Sequence, residues 1–187
     1  ELNPFTLGHK YIVDYAHKLG VTHLVAIMSG DFVQRGSPAI VPTRARAEIA
    51  LECGFDLVIE IPSTWSMSTA ETYARSGVFI AESLGCVDNL IFGSECGNLY
   101  KLDKINDIIV SSLFTGDIKF NLENGNSFAK ARELSVLNIL GEEYSCLLKS
   151  PNDILAIEYL KALKALKSSI KPIAVKRFGA MHHCDES

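Results

Sequence analysis

The sequence has no run of about 20 uninterrupted apolar residues, so we expect no segment to span a membrane. Its five cysteines are odd in number, widely spaced and never arranged as C-x-x-C, which argues against a disulfide framework. Positive charge is not in excess, because 18 Lys and Arg stand against 22 Asp and Glu. This balance argues against a dedicated nucleic-acid clamp but leaves room for a local basic patch. We therefore expect a cytoplasmic protein with reduced thiols.

Hydrophobic residues make up 48% of the 187 residues, which is enough to bury the core of one domain. Three continuous apolar runs stand out, at residues 23–28, 56–61 and 89–92. Continuous apolar runs are typical of strands that are buried on both faces. Because helical patterns lie between the runs, we predict an α/β fold with a parallel sheet.

The helical patterns of the first half lie around residues 12–19, at 43–53 and at about 68–84. Each of them is followed by a glycine, a common residue just after a helix end. In the first helix, the spacing i, i+3, i+4, i+7 predicts a buried stripe. Its members are Ile12, Tyr15, Ala16 and Leu19.

The second half is predicted to be mainly helical, with patterns at 102–111, 127–140 and 151–167 and a late strand at 173–176. The last helix has a clear start, because Ser150 suits the N-cap and Pro151 the first helical position. Residues 116–125 are expected to form an exposed connection. We therefore divide the chain into an α/β core, 1–115, and a mainly helical extension with the late strand, 116–187.

The opening of the chain is its most informative stretch, because a loop ends in Gly8 and His9 where an amphipathic helix begins. Such a loop brings together free backbone N–H groups, the positive end of a helix dipole and an imidazole, which suits a phosphate. Gly8 would let a phosphate approach the backbone, and His9 would donate to an oxygen of the α-phosphate. An ordinary turn with a surface histidine is the alternative, and a motif this short does not decide between them.

The pattern Thr6-x-Gly8-His9 resembles the signature of the HIGH-type nucleotidyltransferase superfamily, which binds ATP phosphates. Six segments, in order along the chain, are also similar to the tRNA(Met) cytidine acetate ligase family. They are residues 1–9, 28–36, 56–62, 92–95, 151–155 and 170–172 with 176–177. Together they cover nearly the whole chain, which makes the resemblance specific. Two positions depart from it: Thr6 stands where histidine is more common, and Asp31 stands where asparagine is more usual.

The resemblance implies a Rossmann-like parallel sheet with a mainly helical C-terminal extension. It implies a ligase that activates acetate with ATP to acetyl-adenylate and acetylates the wobble cytidine of elongator tRNA(Met). Mg²⁺ is expected with the ATP, and no metal site built from protein residues is expected. The resemblance also places a β-strand before residue 1, and it implies a chain about twice this length with a second signature towards its C-terminus.

Site residues follow from the same resemblance. Thr6 and His9 are the expected catalytic residues. The expected ATP-binding residues are Glu1, Leu2, Asn3, Pro4, Phe5, Thr6, Leu7, Gly8, His9, Gly93, Asn152 and Arg177.

The last three of these residues also make physical sense. Gly93 ends a parallel strand, where open α/β sheets bind ligands, and would admit a base or ribose. Asn152 in a first helical turn would bind an adenine edge or ribose, and Arg177 would pair with phosphate. Taken singly, a tight turn, a helix cap and a solvated charge explain them equally well.

Two other functions stay open at this stage. One is a small-metabolite adenylyltransferase of the pantetheine-phosphate or nicotinamide-mononucleotide type, and the other is a nucleotide-binding module without catalysis. Residues 29–36 either line the same crevice or form a structural turn. Residues 182–185 have metal-ligand side chains but lack a second cluster, so we expect no metal site there. Arg44 and Arg46 do not share a helix face, so a solvated surface is expected for both.

Overall fold

The computed structural model describes residues 2–34 and 36–177, and within them four strands form two parallel pairs. Strand β1 (Val25–Ser29) pairs with β2 (Leu57–Ile61), with Val25 opposite Leu57. Strand β3 (Asn89–Ser94) pairs with β4 (Lys171–Lys176), with Asn89 opposite Lys171. The predicted parallel α/β fold is confirmed, and the strands form two two-stranded sheets.

Helices surround these sheets, and several begin at a side-chain cap. The N-cap side chains of Thr69, Asn98, Ser111 and Ser127 each accept a hydrogen bond from the backbone N–H three residues later. No helix in the described part of the chain is long and apolar enough to cross a membrane. In chain order the helices are α1 (Leu7–Lys18), α2 (Thr43–Glu52), α3 (Ser63–Ser66), α4 (Ala70–Ser83), α5 (Leu99–Ile109), α6 (Ser112–Glu123), α7 (Phe128–Leu140), α8 (Glu142–Ser145) and α9 (Pro151–Ala165), with a 3₁₀ turn at Cys146–Lys149.

Helix α9 is the centre of the second half. It packs against α4, α5 and β3, and its Ile157 is fully buried. Phe92 of β3 and Ile105 of α5 belong to the same apolar cluster. Burying a side chain of this size contributes about 1.5–3 kcal/mol, so this cluster fixes the first turn of α9 relative to the end of β3.

Two expectations about the helices are wrong. Residues 116–125 are not a connection, because most of them belong to α6, where Asn121 Nδ2 donates to Ser135 Oγ of α7 at 3.1 Å. The cap at Ser111 and this tertiary contact outweigh the cost of about 1 kcal/mol that Gly116 imposes on a helix. Leu19 is not part of the buried stripe, since it lies beyond the end of α1 and is 50% exposed. Val13, which the stripe left out, is fully buried instead.

The expectation for Arg46 is also wrong. Its side chain is 1% exposed, and its guanidinium donates to the carbonyl oxygens of Val41, Ser29 and Gly30. These carbonyls lie at the end of β1 and in the loop that leads to α2, and the long cationic side chain of Arg46 reaches them from α2. Arg44 is exposed as expected and pairs with Glu48 at 2.9 Å.

The division at residues 115 and 116 stays a prediction, although this boundary falls within α6 and β4 shares a sheet with β3. A cavity of about 1180 Å³ lies between the two sheets, lined by residues 25–27 of β1 and 89–93 of β3. The strand that the resemblance places before residue 1 likewise stays a prediction.

Candidate functional site

The opening loop leads into α1, whose first turn presents Gly8 and His9. Thr6 has extended backbone geometry at the N-cap, and the first backbone bond of the helix runs from Lys10 N to Thr6 O. The N–H groups of residues 7 and 8 therefore have no partner in the helix itself, whereas the N–H of His9 faces the Thr6 side chain in a capping box. Gly8 is exposed, and a Cβ added there would meet only Thr6 Oγ1, at 3.6 Å. The chain thus offers an open set of donors at the positive end of a helix dipole.

Thr6 and His9 are hydrogen-bonded to each other across this first turn. The backbone N–H of Thr6 donates to His9 Nδ1 at 3.0 Å, and Thr6 Oγ1 lies 3.0 Å from the same nitrogen. Because Nδ1 accepts, the neutral imidazole carries its proton on Nε2, which is the nitrogen left to donate to a ligand. The sequence analysis missed this pairing, although a Thr followed three residues later by a polar side chain is the spacing of a capping box.

His9 is held in its neutral form. Burial is the main cause that lowers the pKa of His9 from 6.5 to about 4, and the positive charge of Arg177 lowers this pKa further. At neutral pH the ring is therefore a neutral donor and not a cation.

Gly93 lies near the end of β3, and Arg177 directly follows the paired strand β4. The backbone N–H of Arg177 donates to Ser94 O at 3.0 Å, which extends the pairing past the end of β4. A Cβ added at Gly93 would lie 3.4 Å from Arg177 Cγ and 3.6 Å from Ile12 Cδ1. Gly93 therefore leaves space for the aliphatic part of Arg177, where the sequence analysis expected a base or ribose.

Asn152 lies in the first turn of α9, where Glu95 takes the role of the cap. Ser150 occupies the N-cap position, but its side chain makes no capping hydrogen bond. Instead, Glu95 Oε1 accepts from Asn152 Nδ2 at 2.6 Å, and Glu95 Oε2 accepts from Asp153 N at 3.1 Å. A carboxylate at this end of a helix satisfies free N–H groups and complements the dipole.

A second carboxylate, that of Asp153, accepts hydrogen bonds from the residues on either side of Glu95. Asp153 is fully buried, and its Oδ1 accepts from Ser94 Oγ at 2.5 Å while its Oδ2 accepts from Cys96 N at 3.2 Å. Burial raises the pKa of Asp153, and these two hydrogen bonds oppose that rise. Sequence reasoning missed both Glu95 and Asp153 as parts of the site. The only signal for them was that both fall within segments of the family resemblance.

Most of the expected site residues come together around the cavity between the sheets. Leu2, Thr6, Leu7, Gly8, His9, Gly93, Asn152 and Arg177 all line it. Asn3, Pro4 and Phe5 are not among its lining residues, and Glu1 lies outside the described residues. Asn3 has a structural contact instead, since its Oδ1 accepts from Ile40 N at 2.8 Å.

The loop after β1 has a structural contact as well. Asp31 accepts from Thr43 N at 2.9 Å and from Thr43 Oγ1 at 2.6 Å, and these hydrogen bonds lower the pKa of Asp31. Asp31 thereby caps the start of α2. Across residues 2–34 and 36–177, no three His, Cys, Asp or Glu side chains are grouped so as to hold a metal ion. Residues 182–185 lie outside the described residues.

The chain is similar to known proteins over almost all of its length. A family model described as HIGH Nucleotidyl Transferase matches residues 1–187. A tRNA(Met) cytidine acetate ligase of Caldanaerobacter subterraneus subsp. tengcongensis is 48% identical over 97% of this chain and 46% of its own length. A protein of the same name from Clostridium perfringens is 40% identical over 96% of this chain and 48% of its own length. The chain thus spans about half the length of the curated relatives it matches.

A solved structure has the same fold. Thermotoga maritima TmcAL, crystallised with α-thio ATP, superposes with a TM-score of 0.91 and is 33% identical. The superposition covers 96% of this chain and 45% of the Thermotoga chain.

Proposed function

Since the chain belongs to the HIGH nucleotidyl transferase family, we propose that it is the nucleotide-binding part of a tRNA(Met) cytidine acetate ligase. In this proposal it binds ATP and acetate and forms acetyl-adenylate with release of pyrophosphate. The acetyl group then passes to the wobble cytidine of elongator tRNA(Met). The names of the relatives and the ATP analogue bound by the Thermotoga protein support this assignment.

One observation carries the proposal: the first turn of α1, the end of β3, the first turn of α9 and Arg177 border a single cavity. The free N–H groups of α1 and the Nε2 proton of His9 would bind phosphate oxygens. Arg177 is exposed beside Gly93, and its guanidinium would pair with phosphate.

Formation of acetyl-adenylate requires that acetate and ATP are positioned for reaction and that the negative charge of the phosphates is neutralised. A carboxylate oxygen of acetate attacks the α-phosphorus, a new P–O bond forms, and the bond to the bridging oxygen breaks as pyrophosphate leaves. Acetate is already ionised at neutral pH, so no residue has to remove a proton in this step. His9, as a neutral donor, and the α1 amides would stabilise the charge that grows on the phosphate oxygens.

Mg²⁺ would enter with the triphosphate in this proposal. The described residues offer no carboxylate cluster for it, and Mg²⁺ commonly keeps its waters and binds substrate phosphates. In the second step, the exocyclic amine of cytidine attacks the acetyl carbonyl: a C–N bond forms, the C–O bond to AMP breaks, and the amine nitrogen loses one proton as AMP leaves.

Exchange of labelled pyrophosphate into ATP, measured on the full-length protein with and without acetate, tests the proposal. We expect exchange that requires acetate, and a His9→Ala variant that keeps its fold but loses most of the exchange. Mass spectrometry of tRNA(Met) should then detect acetylated cytidine.

The same assay separates the alternatives. Exchange that needs a phosphorylated metabolite in place of acetate would identify a small-metabolite adenylyltransferase. ATP binding by calorimetry without any exchange would identify a nucleotide-binding module. Either result would overturn the proposed reaction.

A further inference from the structure

We propose that Glu95 is a specificity-determining positioning residue, which orients the Asn152 amide so that its Oδ1 accepts a hydrogen bond from the nucleoside of the bound nucleotide. This inference rests on the proposed ATP binding, and it concerns a residue outside the sequence-predicted site. It is carried by the hydrogen bonds between Glu95 and the start of α9.

The direction of the hydrogen bond follows from chemistry alone. A carboxylate oxygen can only accept, so the end of the Asn152 amide that lies 2.6 Å from Glu95 Oε1 must be its NH₂ group. The other end of the amide is then the carbonyl oxygen, and Asn152 is a lining residue of the cavity. Without Glu95, the amide would be free to turn and offer either end to a ligand.

Glu95 is itself held in place. Its second oxygen, Oε2, accepts from the backbone N–H of Asp153 at 3.1 Å. The neighbouring residues Ser94 and Cys96 both donate to the buried carboxylate of Asp153. Both oxygens of Glu95 are therefore used, and the loop that carries it is fixed on each side.

A carbonyl oxygen selects a donor on the ligand. ATP has two kinds of donor on its nucleoside, the exocyclic amine of adenine and the hydroxyls of ribose. ITP has a carbonyl oxygen in place of the amine, and 2′- or 3′-deoxyATP lacks one hydroxyl. These analogues tell the two donors apart.

Glu95→Gln is the sharpest test, because glutamine keeps the shape but has a single accepting oxygen. The backbone N–H of Asp153 cannot reverse, so it keeps that oxygen, and the glutamine NH₂ then faces Asn152. Asn152 must turn its own oxygen towards Gln and its NH₂ towards the ligand. The variant should therefore bind a nucleotide that offers a hydrogen-bond donor at this position less selectively, and should accept one that offers a hydrogen-bond acceptor there.

The measurement is the ratio of dissociation constants for ATP and its analogues in the full-length protein, by calorimetry. If the donor is the adenine amine, Glu95→Gln should reduce the preference for ATP over ITP at least tenfold. If the donor is a ribose hydroxyl, the preference over one deoxyATP should fall by a similar factor and the ITP ratio should stay unchanged. In an Asn152→Ala background, Glu95→Gln should no longer change either ratio.

Glu143→Gln is the matched control. Glu143 forms an ion pair with Lys101 at 2.5 Å, and neither residue lines the cavity. This variant should leave all the ratios at the wild-type values. A Glu95→Gln variant that binds ATP with unchanged ratios overturns the inference while leaving the proposed function intact. A wild-type protein that does not bind ATP overturns the proposed function itself.

Discussion

Replacing Gly8 with alanine should strengthen the fold and weaken nucleotide binding at the same time. Gly8 lies in the first turn of α1 and its φ angle is not in the left-handed region. An added Cβ would come no closer than 3.6 Å to another atom, Thr6 Oγ1, which is an ordinary van der Waals contact. Alanine is more favourable than glycine in a helix, so we expect a gain of about 0.5–1 kcal/mol in the free energy of unfolding.

The effect on ATP should have the opposite sign. The new methyl group would stand where a phosphate oxygen approaches the N–H groups of the first turn. Losing one hydrogen bond to a charged oxygen costs about 1.5–3 kcal/mol, which corresponds to roughly 10- to 100-fold weaker binding. Calorimetry with ATP gives the affinity, and thermal unfolding should show a rise of roughly 1–4 °C in Tm.

Gly116→Ala is the matched control for this prediction. Gly116 lies inside α6, and a Cβ added there would meet nothing within 4 Å. It is not among the residues that line the cavity, so this variant should gain a similar stability and bind ATP like the wild type. A stable Gly8→Ala protein with unchanged ATP affinity would refute the idea that phosphate contacts the backbone at Gly8.

Three further predictions concern stability. The pKa of His9 in the folded protein, about 4, is below its ordinary value of 6.5, so the unfolded chain takes up the proton first as the pH falls. The stability that depends on neutral His9 is therefore complete above about pH 6.5 and declines towards pH 4. Urea unfolding of His9→Gln should show a flatter dependence of the unfolding free energy on pH between these values. Arg46→Met should lower the free energy of unfolding by about 2–4 kcal/mol, because it leaves buried carbonyls without their donor. Arg44→Met, at an exposed position, should change it by less than about 0.5 kcal/mol. Equal changes in the two variants would contradict the buried role of Arg46. Asp31→Ala should lower the free energy of unfolding through loss of the contacts with Thr43, and Asp31→Asn, which keeps an accepting oxygen, should recover most of that loss in the same assay.

The elements that the sequence predicted well are those with a local physical signal. The run at 56–61 became β2 (Leu57–Ile61), because a continuous apolar segment between turn residues has few alternatives to a buried strand. The proline at position 151 marked the first residue of α9 correctly, since proline lacks the N–H that a helix start leaves free. The opening motif was predictable for the same reason: the donors of a helix N-terminus and the side chains beside them are neighbours in sequence.

Long-range contacts left no such signal. The sequence predicted a solvated arginine at position 46, because Arg44 and Arg46 do not share a helix face. The carbonyl oxygens of Ser29 and Gly30, which accept from Arg46, come within its reach only through the packing of α2 beside the end of β1. Likewise, residues 116–125, most of which belong to α6, were predicted to form an exposed connection. Packing of Asn121 against Ser135 of α7 overrides the weak helix preference of the glycine in this helix.

The sequence by itself therefore determined the strands, the main helix starts and the placing of Gly8 and His9 in a first helical turn, all of which depend on residues within a few positions of one another. Only the tertiary structure decided that Glu95 caps a helix 57 residues away and that Asn152 offers its amide in one orientation. A hydrogen bond across that separation depends on where β3 and α9 pack, and nothing in either local segment encodes the distance between them.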